Sequence, residues 1–514
     1  MNQFSLSPQK RAFLTGTLLL TGTGFACRVL GFFYRIFLSR TIGAEGLGLY
    51  NMVHPVFGIC FAVCAGSIQT ALSQYIASHT GQQKRVFAAG MTVSLFLATA
   101  LALLITRFSE FIATYILLEP ACAPLLPLIA LSVPFAAFHA CINGYYYGMQ
   151  KSRVPAFSQV AEQVIRMGLV FLIADIWTEQ GREITVTLAV LGHLIGEAAS
   201  AAFTLFALCL FPPQAKKPAR RLAESPAPSV ISAAVPLMVL AAPLMGNRLV
   251  LNLLGSAEAI WIPNQLQAFG LSSEEAFSVY GILTGMAMPF IFFPSAITNS
   301  MAVLLLPTVA QARSAGNESR ISNTISMAMR YSLYMGILCI GVFCIYGDAL
   351  GTGVFHDPNA GAYISTLAWL CPFMYLATTM GSILNGMGHT STTFIQNIVS
   401  MILRLAFILF GIPRFGIRAY LWGILASEIL LASMNLYSLS RQAEMIWAPA
   451  EMIVKPALIL ILSIGICRAV VSLFPVSPHS FLPDFFCTAI EIALLAALYL
   501  LGLGILHIWK NRLP

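Results

Sequence analysis

The chain has 514 residues, of which 58% are hydrophobic and 9% are charged, and its formal net charge is +8. Soluble domains carry about 25% charged residues, so the composition excludes an ordinary soluble protein. Apolar stretches of about 20 residues recur along the chain, and helices satisfy their own backbone groups in lipid. We therefore expect an all-α polytopic membrane protein.

The apolar stretches predict about fourteen transmembrane helices. In chain order they cover 12–38, 47–77, 86–106, 122–149, 155–176, 186–212, 227–254, 277–308, 322–347, 363–388, 392–413, 417–440, 453–474 and 485–508. A Pro-rich basic stretch separates the sixth span from the seventh and is typical of a linker. We predict an N-terminal six-helix lobe over 1–212, a cytoplasmic linker over 213–226, a C-terminal six-helix lobe over 227–441 and two additional helices within 442–514.

Loop charge predicts the orientation of these spans. One set of alternate loops and ends contains sixteen lysines and arginines, and the other contains five and is rich in acids. Basic loops stay on the cytoplasmic side of a membrane. Both termini are therefore expected in the cytoplasm, and an even number of spans agrees with that.

A weak internal repeat relates the two predicted lobes. The stretch beginning "PFAAFHACINGYYYGMQ" at Pro134 aligns without a gap with "PFMYLATTMGSILNGMG" at Pro372. The most informative matches are Pro134 with Pro372, Gly148 with Gly386, Met149 with Met387 and Arg166 with Arg404. Because six spans are even in number, the lobes would be parallel repeats. In such transporters the substrate path lies between the halves.

Arginines inside the predicted spans are the main candidates for function. A charge near the bilayer centre costs at least about 2.5–3.5 kcal/mol, so it persists where it faces a bundle interior or a water-filled cavity. Guanidinium groups bind phosphate oxygens bidentately, which favours an anionic substrate such as a diphosphate. The candidate anion-binding residues are Arg28, Arg35, Arg166, Arg248 and Arg404. Snorkelling of Arg35 and a structural Glu162–Arg166 pair are the alternatives.

Further polar residues in the spans suit sugar binding or ion coupling. Amides bind sugar hydroxyls but also join helices, and the candidates are Asn143, Gln159, Asn247 and Asn397. Carboxylates and a histidine could carry protons, and the candidates for coupling are Glu162, His193, Glu197 and Glu428. His193 and Glu197 are four residues apart, so a structural pair is the alternative.

The sequence contains no signature of an enzyme or of a resident cofactor. No GxxxxGK[ST], HExxH or GxSxG motif occurs. The eleven cysteines lack a metal-binding spacing, which indicates buried thiols. We expect no catalytic residue, no metal, no cofactor and no nucleic-acid partner.

The stretch "RVLGFFYRIFLSRTIGAEGLGLY" (28–50), with "GAEGLGLYNMVHP" (43–55) and "ILNGMGHTSTTFIQN" (383–397), resembles the polysaccharide-exporter and flippase superfamily that includes the multidrug extruders. It is most similar to the stage V sporulation protein B branch, related to MurJ-type lipid II flippases. The resemblance implies two six-helix lobes plus two helices, alternating access, and diphosphate binding at Arg28. The second arginine of the MurJ-type motif falls on Tyr34, and His54 is the basic residue of span two, which favours the sporulation branch.

The leading hypothesis is a flippase for a lipid-diphosphate-linked oligosaccharide that serves cell-wall, spore-cortex or surface-polysaccharide assembly. Its partners would be that substrate, membrane lipids and cell-envelope synthesis enzymes, in the bacterial cytoplasmic membrane. One alternative is a cation-coupled multidrug antiporter of the same superfamily. Such a pump needs intramembrane acids, and here arginines outnumber them. The other alternative is a non-transporting scaffold for envelope assembly.

Overall fold

Helices form nearly all of the chain that the structure describes. The computed structural model describes residues 8–78, 83–213, 230–473 and 481–510, and the side chains of 19–78, 83–213, 234–473 and 487–505. No strand occurs in these ranges, so the predicted all-α fold is confirmed. By its internal contacts the chain divides into unit 1, Met1–Asn264, and unit 2, Gln265–Pro514.

Unit 1 contains the first eight helices, the last of which crosses the unit boundary. They are α1 Pro8–Phe61, α2 Ser67–Ser78, α3 Gln83–Arg107, α4 Ser109–Phe111, α5 Leu126–Gly148, α6 Arg153–Glu179, α7 Thr187–Leu210 and α8 Val230–Phe269. Short π-helical segments at Ala62–Gly66 and Ile112–Ile116 and a 3-10 turn at Pro120–Cys122 complete them.

Unit 2 contains the other eleven of these helices. They are α9 Ser273–Gly281, α10 Met288–Phe292, α11 Ser295–Ser314, α12 Glu318–Leu350, α13 Pro358–Leu367, α14 Cys371–Gly386, α15 Thr390–Ala406, α16 Ile412–Phe415, α17 Ile417–Ser440, α18 Lys455–Ser472 and α19 Phe481–Lys510. π-helical segments lie at Ile282–Ala287, Gly351–Phe355, Phe407–Gly411 and Ala450–Val454, and a 3-10 turn lies at Ala368–Leu370.

Each of the fourteen predicted spans falls on helical segments. Thirteen stretches of the described residues are long and apolar enough to cross a membrane. The first stretch holds two predicted spans, which are divided at Gly43, where φ is 70° and ψ is −177°. Glycine adopts this left-handed conformation without steric cost. Helix α6 is not among the thirteen. The predicted span 277–308 corresponds to two of the thirteen stretches, which contain α9 to α11, and Phe293 and Pro294 between them keep helical dihedral angles.

The helices of each unit pack through close glycine contacts that follow the repeat. A Cβ atom at Gly148 of α5 would lie 3.0 Å from the carbonyl oxygen of Ser73 in α2. A Cβ atom at Gly386 of α14 would lie 2.6 Å from the carbonyl oxygen of Leu306 in α11. The matched glycines of the repeat therefore bring equivalent pairs of helices into backbone contact.

Helix α8 packs with the helices of unit 1. Leu237 and Ala241 are fully buried in one core with Ile68, Leu72 and Ala89. The sequence-based limits place this helix in the C-terminal lobe, and those domain limits stay a prediction. All of the predicted linker 213–226 except its first residue lies outside the described residues.

The two additional helices pack on α12. Leu460 of α18 and Tyr499 of α19 share a buried core with Ile337 and Leu338. The hydroxyl of Tyr499 donates to the carbonyl oxygen of Tyr334, 3.1 Å away. The additional pair is therefore an integral part of unit 2.

Candidate functional site

The predicted intramembrane charges of unit 1 form a buried cluster between α6 and α7. Arg166 pairs with Glu162 one turn earlier on α6, and their side chains are 12% and 17% exposed. The guanidinium lies directly over Gly196 of α7, where a Cβ atom would come within 2.9 Å of Cζ. Removing either partner would leave a buried uncompensated charge, so the pair acts as a neutral unit.

A second buried pair joins α5 to α7. His139 Nε2 and Glu197 Oε2 are 2.7 Å apart, and Glu197 is 6% exposed. The sequence paired Glu197 with His193, but the structure gives it His139 as its hydrogen-bond partner. Nδ1 of His139 and Nε2 of His193 are both buried and have no hydrogen-bond partner among the described residues. The cluster thus has unused imidazole nitrogens.

Aromatic and imidazole rings of α1 cover this cluster. The rings of His54 and His193 are 5.2 Å apart, and Phe57 packs edge-on against His193 at 4.4 Å. Tyr34 is 5% exposed, and its hydroxyl lies against Gly192 of α7. These contacts pack α1 against α7.

The two arginines of the first span have different surroundings. Arg28 is exposed and forms no ion pair with a carboxylate in the described part of the chain. Arg35 is half-buried, and its charge interacts electrostatically with Tyr50 and His54. Arg28 therefore offers a guanidinium that is available to a ligand, whereas Arg35 belongs to the edge of the buried cluster.

Arg248 of α8 crosses to the second helical segment of unit 1. Its Nη2 donates to the hydroxyl of Thr70, 3.0 Å away, and the guanidinium passes over Gly66 at the end of the π-helical segment. The side chain is exposed, as is that of Asn247 beside it. π-Helical turns are frequent at functional sites because they open the backbone ladder locally. Of the five candidate arginines, Arg28 and Arg248 are thus the two whose side chains are exposed.

Arg404 of unit 2 is held by an acid and a hydroxyl of α17. Its Nη2 donates to Glu428 Oε1 at 2.8 Å, and its Nε donates to Ser427 Oγ at 3.0 Å. The side chains of Arg404 and Glu428 are 16% and 15% exposed. The charge of Arg404 is thus compensated across two helices.

A polar cavity of about 480 Å³ lies inside unit 2, between α11, α14, α15 and α17. Four amides line it, namely Asn299, Asn385, Asn397 and Asn435. Four hydroxyls line it as well, namely Ser295, Thr378, Ser382 and Thr393. Glu428 is the charged residue of this lining, and Phe292 contributes an aromatic ring. Its volume lies in the range of small-ligand sites, and its lining is more polar than is usual for them.

Comparison with known proteins gives the family. The profile of the family described as "Polysaccharide biosynthesis protein" matches residues 13–311. The chain belongs to this polysaccharide biosynthesis protein family. This membership confirms the resemblance to the polysaccharide-exporter and flippase superfamily.

The chain is also similar to curated relatives and, in its fold, to a solved structure. The chain is 26% identical over 441 residues to stage V sporulation protein B of Bacillus subtilis (strain 168), and the alignment covers 84% of each chain. It is 22% identical over 433 residues to the lipid II flippase MurJ of the same organism, with 76% of each chain covered. A structure titled "Lipid II flippase MurJ, inward closed conformation" has a TM-score of 0.71 and 15% identity, over 96% of this chain and 100% of that one.

The structure brings together only part of the predicted site. Glu162, Arg166, His193 and Glu197 come together in unit 1, and Asn397, Arg404 and Glu428 come together in unit 2. Asn143 is buried with its Oδ1 unpartnered among the described residues, whereas Gln159 is exposed on α6. Gln159 therefore lies apart from these groups.

The sequence did not reveal several members of these groups. His139 was missed because its partner is 58 residues away on another helix, which no periodicity reveals. Asn299 and Asn435 were missed because isolated amides in apolar helices are common. Asn385 lies in the stretch "ILNGMGHTSTTFIQN", which carries the family resemblance, so that stretch could have indicated Asn385 as a candidate.

Proposed function

We propose that this chain is a flippase of the bacterial cytoplasmic membrane that carries a lipid-diphosphate-linked oligosaccharide across the bilayer by alternating access. Membership of a polysaccharide biosynthesis family and many membrane-spanning helices support a membrane transporter. The relatives named for lipid II flipping and for sporulation support a cell-wall or spore-cortex precursor as the substrate. Surface polysaccharide precursors belong to the same chemical class.

The observation that carries the proposal is that two of the five candidate arginines, Arg28 and Arg248, are exposed in membrane-spanning stretches of unit 1. Arg28 and Arg248 form no ion pair with a carboxylate among the described side chains. Such charges are costly in a bilayer unless water or a ligand reaches them. A diphosphate supplies two negative centres with oxygens that match guanidinium geometry. These two residues are the proposed diphosphate ligands, with Arg35 assisting.

Arg166 and Arg404 receive a different role in this proposal. Each is compensated by a carboxylate, so neither contributes a net charge to a substrate. They would hold helices in position around the path. The groups from which proton coupling would be built are Glu162, Glu197 and Glu428 with His193. Both termini in the cytoplasm, and envelope synthesis enzymes as partners, complete the proposal.

The test is translocation of fluorescent lipid II in proteoliposomes. We expect Arg28→Ala and Arg248→Ala to lose most of the transport, and Arg28→Lys to recover part of it because the charge returns without the bidentate geometry. Arg441→Ala is the matched control, because Arg441 is also an exposed arginine but stacks on Tyr437 at the end of α17 and is not a proposed ligand. Full transport by both alanine variants at normal protein levels would refute the proposed role of the arginines.

A further inference from the structure

The proposed role of the unit 1 arginines leaves the polar cavity of unit 2 unexplained. We propose that it is a saccharide-binding subsite, which takes one sugar residue of the oligosaccharide. This inference rests on the proposed flippase function and names the part of the substrate that unit 2 would recognise. It concerns a site in which amides and hydroxyls, rather than charges, provide the contacts.

The hydrogen-bonding groups of the cavity are only partly used by the protein. Asn435 is 2% exposed, and its Nδ2 donates to the carbonyl oxygen of Ala377 at 3.0 Å. Its Oδ1 has no partner in the described part of the structure, although it is buried. An unsatisfied buried acceptor costs about 1–3 kcal/mol. A ligand hydroxyl that donates to Oδ1 would remove this cost.

The neighbouring amides are fixed so that each keeps one free group. Thr393 donates to Oδ1 of Asn385 at 2.7 Å, which leaves the Asn385 amide nitrogen as a donor. Asn397 donates its Nδ2 to the carbonyl oxygen of Thr393 at 2.7 Å, which leaves its Oδ1 as an acceptor. The cavity therefore offers both a donor and acceptors. A sugar hydroxyl both donates and accepts, so this combination suits it.

The polar lining is specific to the second half of the repeat. In the ungapped alignment, the lining residues Thr378, Ser382, Asn385, Thr393 and Asn397 stand opposite Ala140, Gly144, Tyr147, Pro155 and Gln159. Four of these five polar positions are thus replaced by residues without an amide or an aliphatic hydroxyl. General helix pairing by amides would be expected in both halves, whereas a ligand site needs to exist only once.

The electrostatics of the cavity disfavour a cation as its occupant. Glu428 is the carboxylate of the lining, and the guanidinium of Arg404 is 2.8 Å from it. A metal ion beside this pair would meet a neutral unit and the repulsion of the guanidinium. A neutral ligand with many hydroxyls meets no such penalty, and the ring of Phe292 offers an apolar surface to the C–H face of a pyranose.

The experiment compares two lipids that differ only in the sugar. Binding of polyprenyl diphosphate, with and without an attached N-acetylglucosamine–N-acetylmuramic acid disaccharide, is measured on the full-length protein in nanodiscs. We expect the wild type to prefer the sugar-bearing lipid, and Asn397→Leu to lower its affinity for that lipid by about tenfold. Affinity for the bare diphosphate should stay unchanged, and Asn323→Ala, at an exposed amide of the same unit, should change neither.

Two further measurements test the saccharide subsite. Asn435→Leu is a second variant, and saturation-transfer NMR with soluble chitobiose tests sugar binding without any lipid. Equal losses for both lipids, or no loss for either in the leucine variants, would overturn the saccharide subsite. A sodium-dependent stabilisation that Asn397→Leu removes would assign the cavity to a cation and also overturn it. Chitobiose binding without binding of either lipid would retain the cavity site and refute the flippase function instead, and binding of neither would refute both.

Discussion

Arg404 donates a hydrogen bond to Glu428 at 2.8 Å and thereby joins α15 to α17 of unit 2. Its counterpart in the repeat, Arg166, pairs with Glu162 on its own helix. The two halves therefore compensate the same arginine in different ways. In unit 2 the pair joins two helices, whereas in unit 1 two helices, α5 and α7, are joined by the pair of His139 and Glu197.

Removal of one partner from the unit 2 pair should destabilise the protein. For Glu428→Gln we expect a cost at the lower end of the range of about 3–5 kcal/mol that a buried pair shows, because both side chains are slightly exposed. The double variant Arg404→Met/Glu428→Leu should recover most of it, since no charge remains unpaired. The measurement is the apparent Tm of the detergent-solubilised protein. A double variant that is less stable than Glu428→Gln would contradict this account.

The pair in unit 1 should show coupling between α5 and α7. In a double-mutant cycle of His139→Gln and Glu197→Gln we expect an interaction energy of about 0.5–3 kcal/mol, because the two side chains contact each other directly. Thermal unfolding of the four proteins measures it. His389→Gln, at a half-buried histidine between α14 and α15 that belongs to neither partner of this pair, is the control and should change the stability little. Strictly additive single effects would show that the contact contributes nothing.

Much of the fold could be predicted because it depends on composition and length. Every predicted span, each an apolar stretch, falls on helical segments in the structure. Gly43 divides the first two spans, and it lies in the charged stretch "RTIGAEG" that separates them in the sequence. The position of α8 in unit 1 could not be predicted. It depends on which core receives Leu237 and Ala241, and hydropathy alone does not distinguish one apolar partner from another.

The candidate site was less predictable than the fold. Periodicity reveals neighbours on one helix, so the Glu162–Arg166 pair could be proposed from a spacing of four residues. Contacts between helices depend on rotation and depth, which the sequence does not encode locally. For that reason His139 was missed, and Glu428 could not be assigned to Arg404.

Close glycine contacts predict a second class of destabilising change. For Gly386→Ala we expect a loss of about 1–3 kcal/mol, because the added Cβ atom would lie 2.6 Å from the carbonyl oxygen of Leu306 and neither backbone can move freely. Gly465→Ala is the matched control in α18, where a Cβ atom meets nothing within 4 Å. It should be neutral or stabilising by up to about 1 kcal/mol, since alanine favours helix. Thermal unfolding compares the two, and equal Tm values would refute the backbone contact.

Displacement of Arg248 should affect transport more than stability. In Gly66→Ala the new Cβ atom would occupy the space of the Arg248 guanidinium, which is the free end of a flexible side chain, and would lie 2.8 Å from Cε1 of Phe61, so both side chains must shift. We therefore expect a small fall in Tm and a clear fall in lipid II translocation, because the guanidinium would leave its place beside Thr70. Thr70→Val should cause a smaller fall, since it removes only the hydroxyl that orients the charge. Gly246→Ala lies on the same helix as Arg248 and meets nothing within 4 Å, so it should transport like the wild type. Normal transport by Gly66→Ala would remove the position of Arg248 from the mechanism.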